Sequence, residues 1–292
     1  MRVSGFTFVR NGVELGYPFV PAIRSILPLC DEVIVNVPRS TDETQALVAA
    51  IDDERIRVIE TEWDGSAQVC GVALSHHTNL ALRACTGDWC VYIQGDEVLH
   101  EATLPAMQTA MERALPVPAV EGLVVDYTHL YGSYRTEAYG PGWYDQEVRI
   151  VRRASDVRSV GDAQGFRRAD GRKLLVRRSG GRYFHYGHAL RPDQAAHKAR
   201  SLSRLYHDAE TVEAQIRARP PGFYEGDQRA RAFTGSHPHV MRDIVAKVDW
   251  TYIPRAPLLR FRRKRFWRDV SYLVNRWTGL NVGIHRNFRL VR

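Results

Sequence analysis

The chain has 292 residues, of which 44% are hydrophobic, so it can bury the core of one large domain or of a domain with an appendage. Its formal net charge is +8, but residues 251–292 hold eleven lysines and arginines and one acidic residue, so the preceding chain is close to neutral. No apolar run approaches the roughly 20 residues of a membrane-spanning helix, and the interrupted N-terminal run is not typical of a signal peptide. We therefore expect a globular protein in the cytoplasm.

The four cysteines indicate buried thiols. Cys30, Cys70, Cys85 and Cys90 form no C-x-x-C pair and have apolar or small neighbours. Free thiols are usual in a reducing compartment, and the spacing does not favour a zinc site.

The first half of the chain alternates strand-like and helix-like segments. The predicted strands are residues 3–9, 31–37, 55–61 and 88–94. The predicted helices are residues 17–29, 44–51 and 71–85, and Ser40 and Glu43 have the spacing of a capping box before the second of these. This order predicts an α/β fold with a mostly parallel sheet flanked by helices.

Beyond a predicted helix at residues 101–115, the strands become shorter and are separated by glycine-rich turns. They are expected at residues 122–132, 147–153, 173–178 and 182–187, which indicates a mixed sheet. An amphipathic helix is predicted at 191–216 and a loop at 217–238. We expect a catalytic domain at 1–190 with halves 1–101 and 102–190, a helical region packed on it at 191–250, and a basic aromatic tail at 251–292.

Asp96 and Glu97 lie where an apolar run ends, in "WCVYIQGDEVL". The carboxyl edge of an open α/β sheet is where ligands usually bind. Carboxylate oxygens there favour Mg²⁺ or Mn²⁺, although acidic residues also serve as ordinary turn formers or helix caps.

The segment "SHHTNLALRACTGDWCVYIQGDE" resembles the nucleotide-sugar segment of family-2 glycosyltransferases with the GT-A fold. In that family an apolar strand leads into an Asp-x-Asp metal motif. Asp96 matches the second aspartate, Gln94 stands in place of the first, and Asn79 matches an upstream asparagine. "VIVNVPRSTDETQALV" is similar to a second family segment in its later half, with Asn36 where the family has acidic residues.

The resemblance, which includes "FTFVRNG" as the first strand and its turn, implies a set of nucleotide-sugar-binding residues. They are Thr7, Arg10, Asn11, Asn36, Asp42, Asn79, Gln94, Gly95 and Asp96.

The stretches "GWYDQEVRIVRR" and "YFHYGHALRPDQAAHK" resemble the acceptor half of lipopolysaccharide-core and polysaccharide sugar transferases in the same family. Such an enzyme needs a base for the acceptor hydroxyl. Asp162 is the first candidate, with Glu147 and Asp145 as alternatives. Each of the three could instead pair with a nearby arginine.

The resemblance implies Mg²⁺ or Mn²⁺ bound by Asp96, with His185 completing the metal shell or donating to the diphosphate. His185 could also be a structural strand histidine. Zinc is not indicated, since "H-E-x-x-H" is absent. The phosphate-binding loop, the G-x-G-x-x-G turn and the G-x-S-x-G elbow are also missing from the sequence.

These features predict a metal-dependent, inverting glycosyltransferase that uses a UDP- or GDP-linked sugar and a glycan or lipid-linked acceptor. A sugar-phosphate nucleotidyltransferase and a catalytically silent nucleotide-sugar-binding protein are the alternatives. The mixture of arginines and aromatic residues at 255–292 suggests contact with anionic lipid on the inner face of the membrane, or else a helix packed on the body. No nucleic-acid-binding motif is recognisable.

Overall fold

The computed structural model describes residues 1–63, 71–140, 142–153, 156–203, 229–254 and 286–291, with isolated helical residues at 211, 214, 266, 270, 274, 277 and 278. Three features predicted from the sequence lie wholly or largely outside the described residues. They are Cys70, the second half of the 191–216 helix with the first half of the loop that follows it, and most of the basic tail.

The first half of the chain forms the predicted α/β unit. Its strands are β1 (Val3–Phe8), β2 (Glu32–Pro38), β3 (Ile56–Thr61) and β4 (Trp89–Tyr92). Its helices are α1 (Phe19–Ile26), α2 (Thr44–Ala49) and α3 (Val72–Ala84), with a 3₁₀ turn at Leu27–Leu29. The strands are parallel in the order β4-β1-β2-β3. The predicted fold class is confirmed.

The second half extends this sheet with strands in both orientations, and its fifth and sixth strands in chain order form a separate antiparallel pair. In chain order its elements are β5 (Glu97–Leu99), α4 (Leu104–Ala114), β6 (Gly122–Tyr131), β7 (Ser133–Ala138), β8 (Gln146–Arg152), β9 (Val157–Val160), β10 (Gly165–Arg168), β11 (Leu175–His188), α5 (Pro192–Ser203), β12 (Ala230–Ala232), α6 (Arg242–Ala246) and β13 (Arg289–Leu290). Single 3₁₀ turns precede α4 and α6, at Glu101–Thr103 and His239–Met241. From β4 the sheet continues through β8, β6, β7 and β12.

The hydrophobic core lies on both faces of this sheet. Every residue of β4 is buried, as expected for a strand that has neighbours on both sides and layers above and below. Helices α1 and α4 contribute Ile23, Ile26, Met107 and Met111 to one face. Helix α3 contributes Ala81 and Leu82 to the other. Cys30, Cys85 and Cys90 are buried free thiols, as predicted.

Strand β11 is continuous where the sequence indicated two strands. The interruption "SGG" forms a bulge, with a shift in register against β6 between Arg178 and Arg182. Gly180 has φ +75°, and a Cβ on Gly181 would lie 2.8 Å from Cγ of Met107, so helix α4 packs directly on this bulge. Strand β11 therefore extends from the hydrophobic core to the candidate site.

The last described residues belong to the sheet. Strand β13 pairs with Leu175 and Val176 of β11, and Phe288 beside it is 4% exposed. The end of the predicted tail therefore contributes to the body of the protein. Across the described residues, no helix combines the length and apolar character needed to traverse a bilayer.

Candidate functional site

A cavity of about 690 Å³ opens at the carboxyl ends of β1 and β4. Its wall includes Arg10 and Asn11 after β1, the 94–96 turn after β4, and the end of β11 with His185 and His188. The segment 162–164 and helix α5 close its other sides. This volume is in the range of pockets that hold small organic ligands.

Asp96 lies in this cavity with its side chain largely buried. Its Oδ2 is 3.1 Å from Nζ of Lys198 and 3.3 Å from Nε2 of His185. Burial alone would raise the pKa of Asp96, but the charge of Lys198, followed by His185, outweighs burial and lowers it. The carboxylate is therefore ionised and available as a ligand for a cation.

Pairing of β5 with β11 brings Asp96 and His185 together. His185 faces Glu97 in the antiparallel register, and the backbone N–H of Tyr186 donates to the carbonyl of Asp96 over 2.8 Å. The two site residues are 89 positions apart in the chain. Their approach is fixed by main-chain hydrogen bonds and so does not depend on a flexible loop.

A second histidine determines the tautomer of His185. His129 Nε2 lies 2.8 Å from the carbonyl of Tyr144, so this nitrogen must donate. Burial, followed by the charge of His185, lowers the pKa of His129 to about 3, so its ring is neutral and Nδ1 accepts. Nδ1 of His185, 3.0 Å away, is then the donor. Nε2 of His185 either carries a proton toward Asp96 or has a lone pair for a bound cation.

Glu97 points away from the cavity into the core. Arg149 donates to its two carboxylate oxygens over 3.0 and 2.8 Å, and the hydroxyl of Tyr127 donates to Oε1 over 2.6 Å. Burial alone would lower the pKa of Arg149, and Glu97 reverses that shift and raises it. The adjacent carboxylates of "GDE" thus have separate roles, one in the cavity and one in a buried ion pair.

Lys198 on α5 is a site residue that sequence reasoning missed. Its ammonium donates to the carbonyl of Gly187 over 2.9 Å as well as to Asp96, and it lies 4.4 Å from the ring centroid of Tyr17. One signal could have found it. Lys198 falls on the stripe of small and apolar residues of α5, three positions after the buried Ala195, where a lysine requires a partner.

Gly187 allows these groups to converge. A Cβ at this position would overlap Oδ2 of Asp96 and lie 2.7 Å from Nε2 of His185 and 2.8 Å from Nζ of Lys198. The three side chains therefore pack against the bare backbone of β11.

Arg10 and Trp63, which also line the cavity, belong to an aromatic and cationic stack. The guanidinium of Arg10 lies 4.6 Å from the ring centroid of Trp63. The Trp63 ring stacks on His77 at 4.9 Å with an interplanar angle of 11°. Burial, followed by the charges of His76 and Arg10, lowers the pKa of His77 to about 4, so its imidazole is neutral. Trp63 was also not identified from the sequence.

The structure places part of the predicted set around the cavity. Seven predicted residues line it: Arg10, Asn11, Gln94, Gly95, Asp96, Asp162 and His185. Among the described residues, six others are not part of its wall: Thr7, Asn36, Asp42, Asn79, Asp145 and Glu147.

Three of these six hold the scaffold together. Asn36 is buried, accepts from the hydroxyl of Thr61 and donates to the carbonyl of His77. Asn79 pairs with both backbone groups of Ser159 and so ties α3 to β9. Asp42 accepts from the backbone N–H of Glu14 over 2.9 Å and shapes the turn after β1.

The candidate bases differ in environment. Asp162 is exposed at the mouth of the cavity, and its Oδ1 is 3.3 Å from the backbone N–H of Gln164. Glu147 is buried, accepts from Gln164 and Asn287, and has no partner for Oε2 among the described residues. Burial raises the pKa of Glu147 to about 7. Of these two carboxylates, only that of Asp162 reaches the cavity.

The residues present fit a divalent cation that is shared with a substrate. Oδ2 of Asp96 and Nε2 of His185 are 3.3 Å apart, close to the roughly 3 Å between neighbouring ligands of an octahedral ion with bonds of about 2.1 Å. The described part of the chain contains no cluster of three or more His, Cys, Asp or Glu residues suited to a metal. Two protein ligands completed by phosphate oxygens and water are typical of Mg²⁺.

Comparison with known proteins identifies the class. The chain matches glycosyl transferase family 2 over residues 20–172, more than half of its length, and it belongs to this family. It is therefore a glycosyltransferase, as predicted, and the family assignment supports neither the nucleotidyltransferase nor the silent binding protein. No curated protein matches the chain.

Solved structures with a similar fold include residues 1–349 of TarS from S. aureus, with 15% identity and a TM-score of 0.40 over 74% of this chain and 69% of that one. The UDP-GlcNAc complex of TarS gives 14% identity and 0.40 over 74% and 70%. Glucosyl-3-phosphoglycerate synthase from Mycobacterium tuberculosis, crystallised with Mn²⁺, UDP and glucosyl-3-phosphoglycerate, gives 23% identity and 0.30 over 45% of each chain.

Proposed function

We propose that this glycosyltransferase moves a sugar from a nucleotide diphosphate donor to a hydroxyl of a glycan or lipid-linked acceptor, with inversion at the anomeric carbon. The observation that carries the proposal is the position of Asp96. Its ionised carboxylate lies at the carboxyl end of the nucleotide-binding sheet, opposite His185, in a cavity of suitable size. Asp96 and His185 would hold Mg²⁺ or Mn²⁺, which as a Lewis acid neutralises charge on the departing diphosphate.

Within this proposal, different parts of the cavity wall bind different parts of the donor. The stack of Arg10, Trp63 and His77 would offer the edge of an aromatic ring to the nucleobase and the positive charge of Arg10 to phosphate. Asp96, His185 and Lys198 converge at the opposite side, where the diphosphate would lie. The donor sugar would then lie between them, toward Gln164 and Asp162.

Asp162 is the proposed base. As the acceptor oxygen forms its bond to the anomeric carbon and the bond to the diphosphate oxygen breaks, the hydroxyl proton passes to the Asp162 carboxylate. General-base assistance of this kind is worth typically 10²–10⁴-fold in rate. Glu147 and Asp145 lie outside the described cavity wall, which supports the choice of Asp162 among the three candidates.

The test is nucleotide-sugar hydrolysis, measured across UDP- and GDP-linked sugars with Mn²⁺ or Mg²⁺. Asp96→Asn is expected to lower turnover by at least about 10²-fold and to weaken Mn²⁺ binding, whereas Asp162→Asn should lower transfer to an acceptor and leave Mn²⁺ binding intact. Asp52→Asn, which changes an exposed aspartate shortly before β3, is the control. Full turnover in chelator, or in Asp96→Asn, would contradict the metal role.

We also propose that residues 255–292 contact anionic lipid from the cytoplasmic side, because they combine many arginines with aromatic residues. Deleting the whole segment would also remove Phe288 and β13 from the sheet, so charge replacement is the cleaner test. Changing Arg262, Arg263, Lys264 and Arg265 to glutamine should reduce sedimentation with phosphatidylserine vesicles and leave activity on a soluble acceptor analogue unchanged. Equal sedimentation of both proteins would refute the contact.

A further inference from the structure

We propose that Lys198 is a built-in counter-cation for Asp96. In the donor-free protein it holds the carboxylate and competes with a divalent cation, and when the donor is bound its ammonium contacts the diphosphate. The inference rests on the proposed function, because it assumes that a diphosphate enters this cavity.

The geometry of the free protein supports the first half of this proposal. Nζ of Lys198 donates to Oδ2 of Asp96 over 3.1 Å and to the carbonyl of Gly187 over 2.9 Å. The side chains of the pair are 9% and 12% exposed. A carboxylate buried to this degree is costly without a positive partner, and Lys198 lies nearer to it than His185 does.

The same contact opposes a divalent cation. Lys198 and His185 both approach the same oxygen, Oδ2, which is the atom that would bind the ion between Asp96 and His185. An ammonium about 4 Å from a divalent ion repels it strongly enough, even at the effective dielectric constant of protein, to weaken binding more than 10-fold. Lys198 must therefore move or be charge-compensated before the ion binds well.

A diphosphate provides that compensation. Lysine binds phosphate as a mobile point charge on a flexible four-carbon stem. Lys198 lines the cavity and has three N–H donors, of which two have protein acceptors among the described residues. The ammonium can therefore turn from Asp96 to a phosphate oxygen while the buried Ala195 keeps α5 in place. The diphosphate and the cation would then be expected to bind cooperatively.

The test compares Lys198→Met with Lys247→Met, the same change at an exposed lysine directly after α6. Binding of Mn²⁺ to the donor-free proteins is measured by electron paramagnetic resonance. Binding of inorganic pyrophosphate with saturating Mn²⁺ is measured by calorimetry. We expect Lys198→Met to bind Mn²⁺ at least about 10-fold more tightly and pyrophosphate at least about 10-fold more weakly than wild type, with Lys247→Met unchanged.

Two further variants separate charge from packing. Lys198→Arg keeps the positive charge and should not gain Mn²⁺ affinity. If Lys198→Met is too unstable to purify, Lys198→Gln replaces it. In either neutral variant, Mn²⁺ should raise the melting temperature by more than it does in wild type, because the ion then binds a carboxylate that has lost its lysine partner.

Unchanged or weaker Mn²⁺ binding in the neutral variants would overturn the proposal, and so would unchanged pyrophosphate binding. Failure of the proposed function has a different signature. Nucleotide sugars would not be turned over by wild type, while the opposite shifts in Mn²⁺ and pyrophosphate affinity would still be observed.

Discussion

Glu97 and Arg149 form a bidentate ion pair in which neither side chain is exposed to solvent. The pair joins β5 to β8 beneath the cavity, and the Tyr127 hydroxyl completes the hydrogen bonding of the carboxylate. The backbone N–H of Gln94 also donates to Oε2 over 3.1 Å, so the pair fixes the turn that carries Asp96. A buried charge pair thus supports the candidate site from the core side.

Removing one partner of this pair should destabilise the protein strongly. Glu97→Gln leaves the guanidinium of Arg149 buried without a counter-charge, and loss of about 3–5 kcal/mol in the free energy of unfolding is expected. Urea denaturation measures it. Glu54→Gln, at an exposed position, should stay within about 0.5 kcal/mol of wild type. An equal, small change in both variants would show that the pair is not essential to the fold.

Gly187→Ala should disrupt the site with less effect on the rest of the fold. The added methyl group would overlap the carboxylate of Asp96 and press on His185 and Lys198, so those side chains must separate. We expect loss of Mn²⁺ binding and at least about 10²-fold loss of turnover, with a circular dichroism spectrum like that of wild type. Gly161→Ala is the matched control, because nothing lies within 4 Å of its Cβ position, although its φ of +59° adds some local strain. Wild-type Mn²⁺ affinity in Gly187→Ala would contradict the geometry.

Glu147 should make stability fall as the pH rises. Its pKa is about 7 in the folded protein against an ordinary value of 4.5, so between these values the folded state binds more protons than the unfolded state. The stabilising contribution of the bound proton is complete below about pH 4.5 and is lost as the pH rises toward 7.

In Glu147→Gln the side chain at position 147 cannot titrate, so the variant lacks this pH-dependent contribution to the free energy of unfolding. The difference in unfolding free energy between wild type and variant should change by up to about 3 kcal/mol between pH 4.5 and pH 8, to the disadvantage of wild type at high pH. Urea titrations at several pH values measure it. A difference that is constant with pH would show that Glu147 titrates normally.

Trp63→Ala should weaken donor binding. The indole supports Arg10 on the cavity wall and is held flat against His77. Without the indole, Arg10 loses this support and binds phosphate less well, which should cost about 1–2 kcal/mol, or roughly 5- to 30-fold in affinity. Calorimetry with UDP and GDP measures the effect, and the exposed Leu47→Ala is the control. Unchanged affinity for both nucleotides would show that Arg10 and Trp63 do not contact the nucleotide.

Local patterns in the sequence were sufficient for the architecture of the first half. The order of strands and helices up to β4 follows from hydrophobic periodicity and turn residues, which act over a few positions. The carboxyl-edge position of Asp96 follows from the same pattern. Strands β5, β7, β9, β10, β12 and β13 were not predicted, because short segments of two to six residues depend on their sheet partners more than on their own composition.

The sequence by itself determined an α/β chain with two carboxylates after a buried strand, and its family motifs identified the class of enzyme. Only the tertiary structure decided which carboxylate faces the cavity, and it did so by pairing β5 with β11, so that adjacent side chains point to opposite sides. It also brought Lys198, 102 positions away, onto Asp96. Such contacts depend on long-range packing of strands and helices, which leaves little trace in the residues next to either partner.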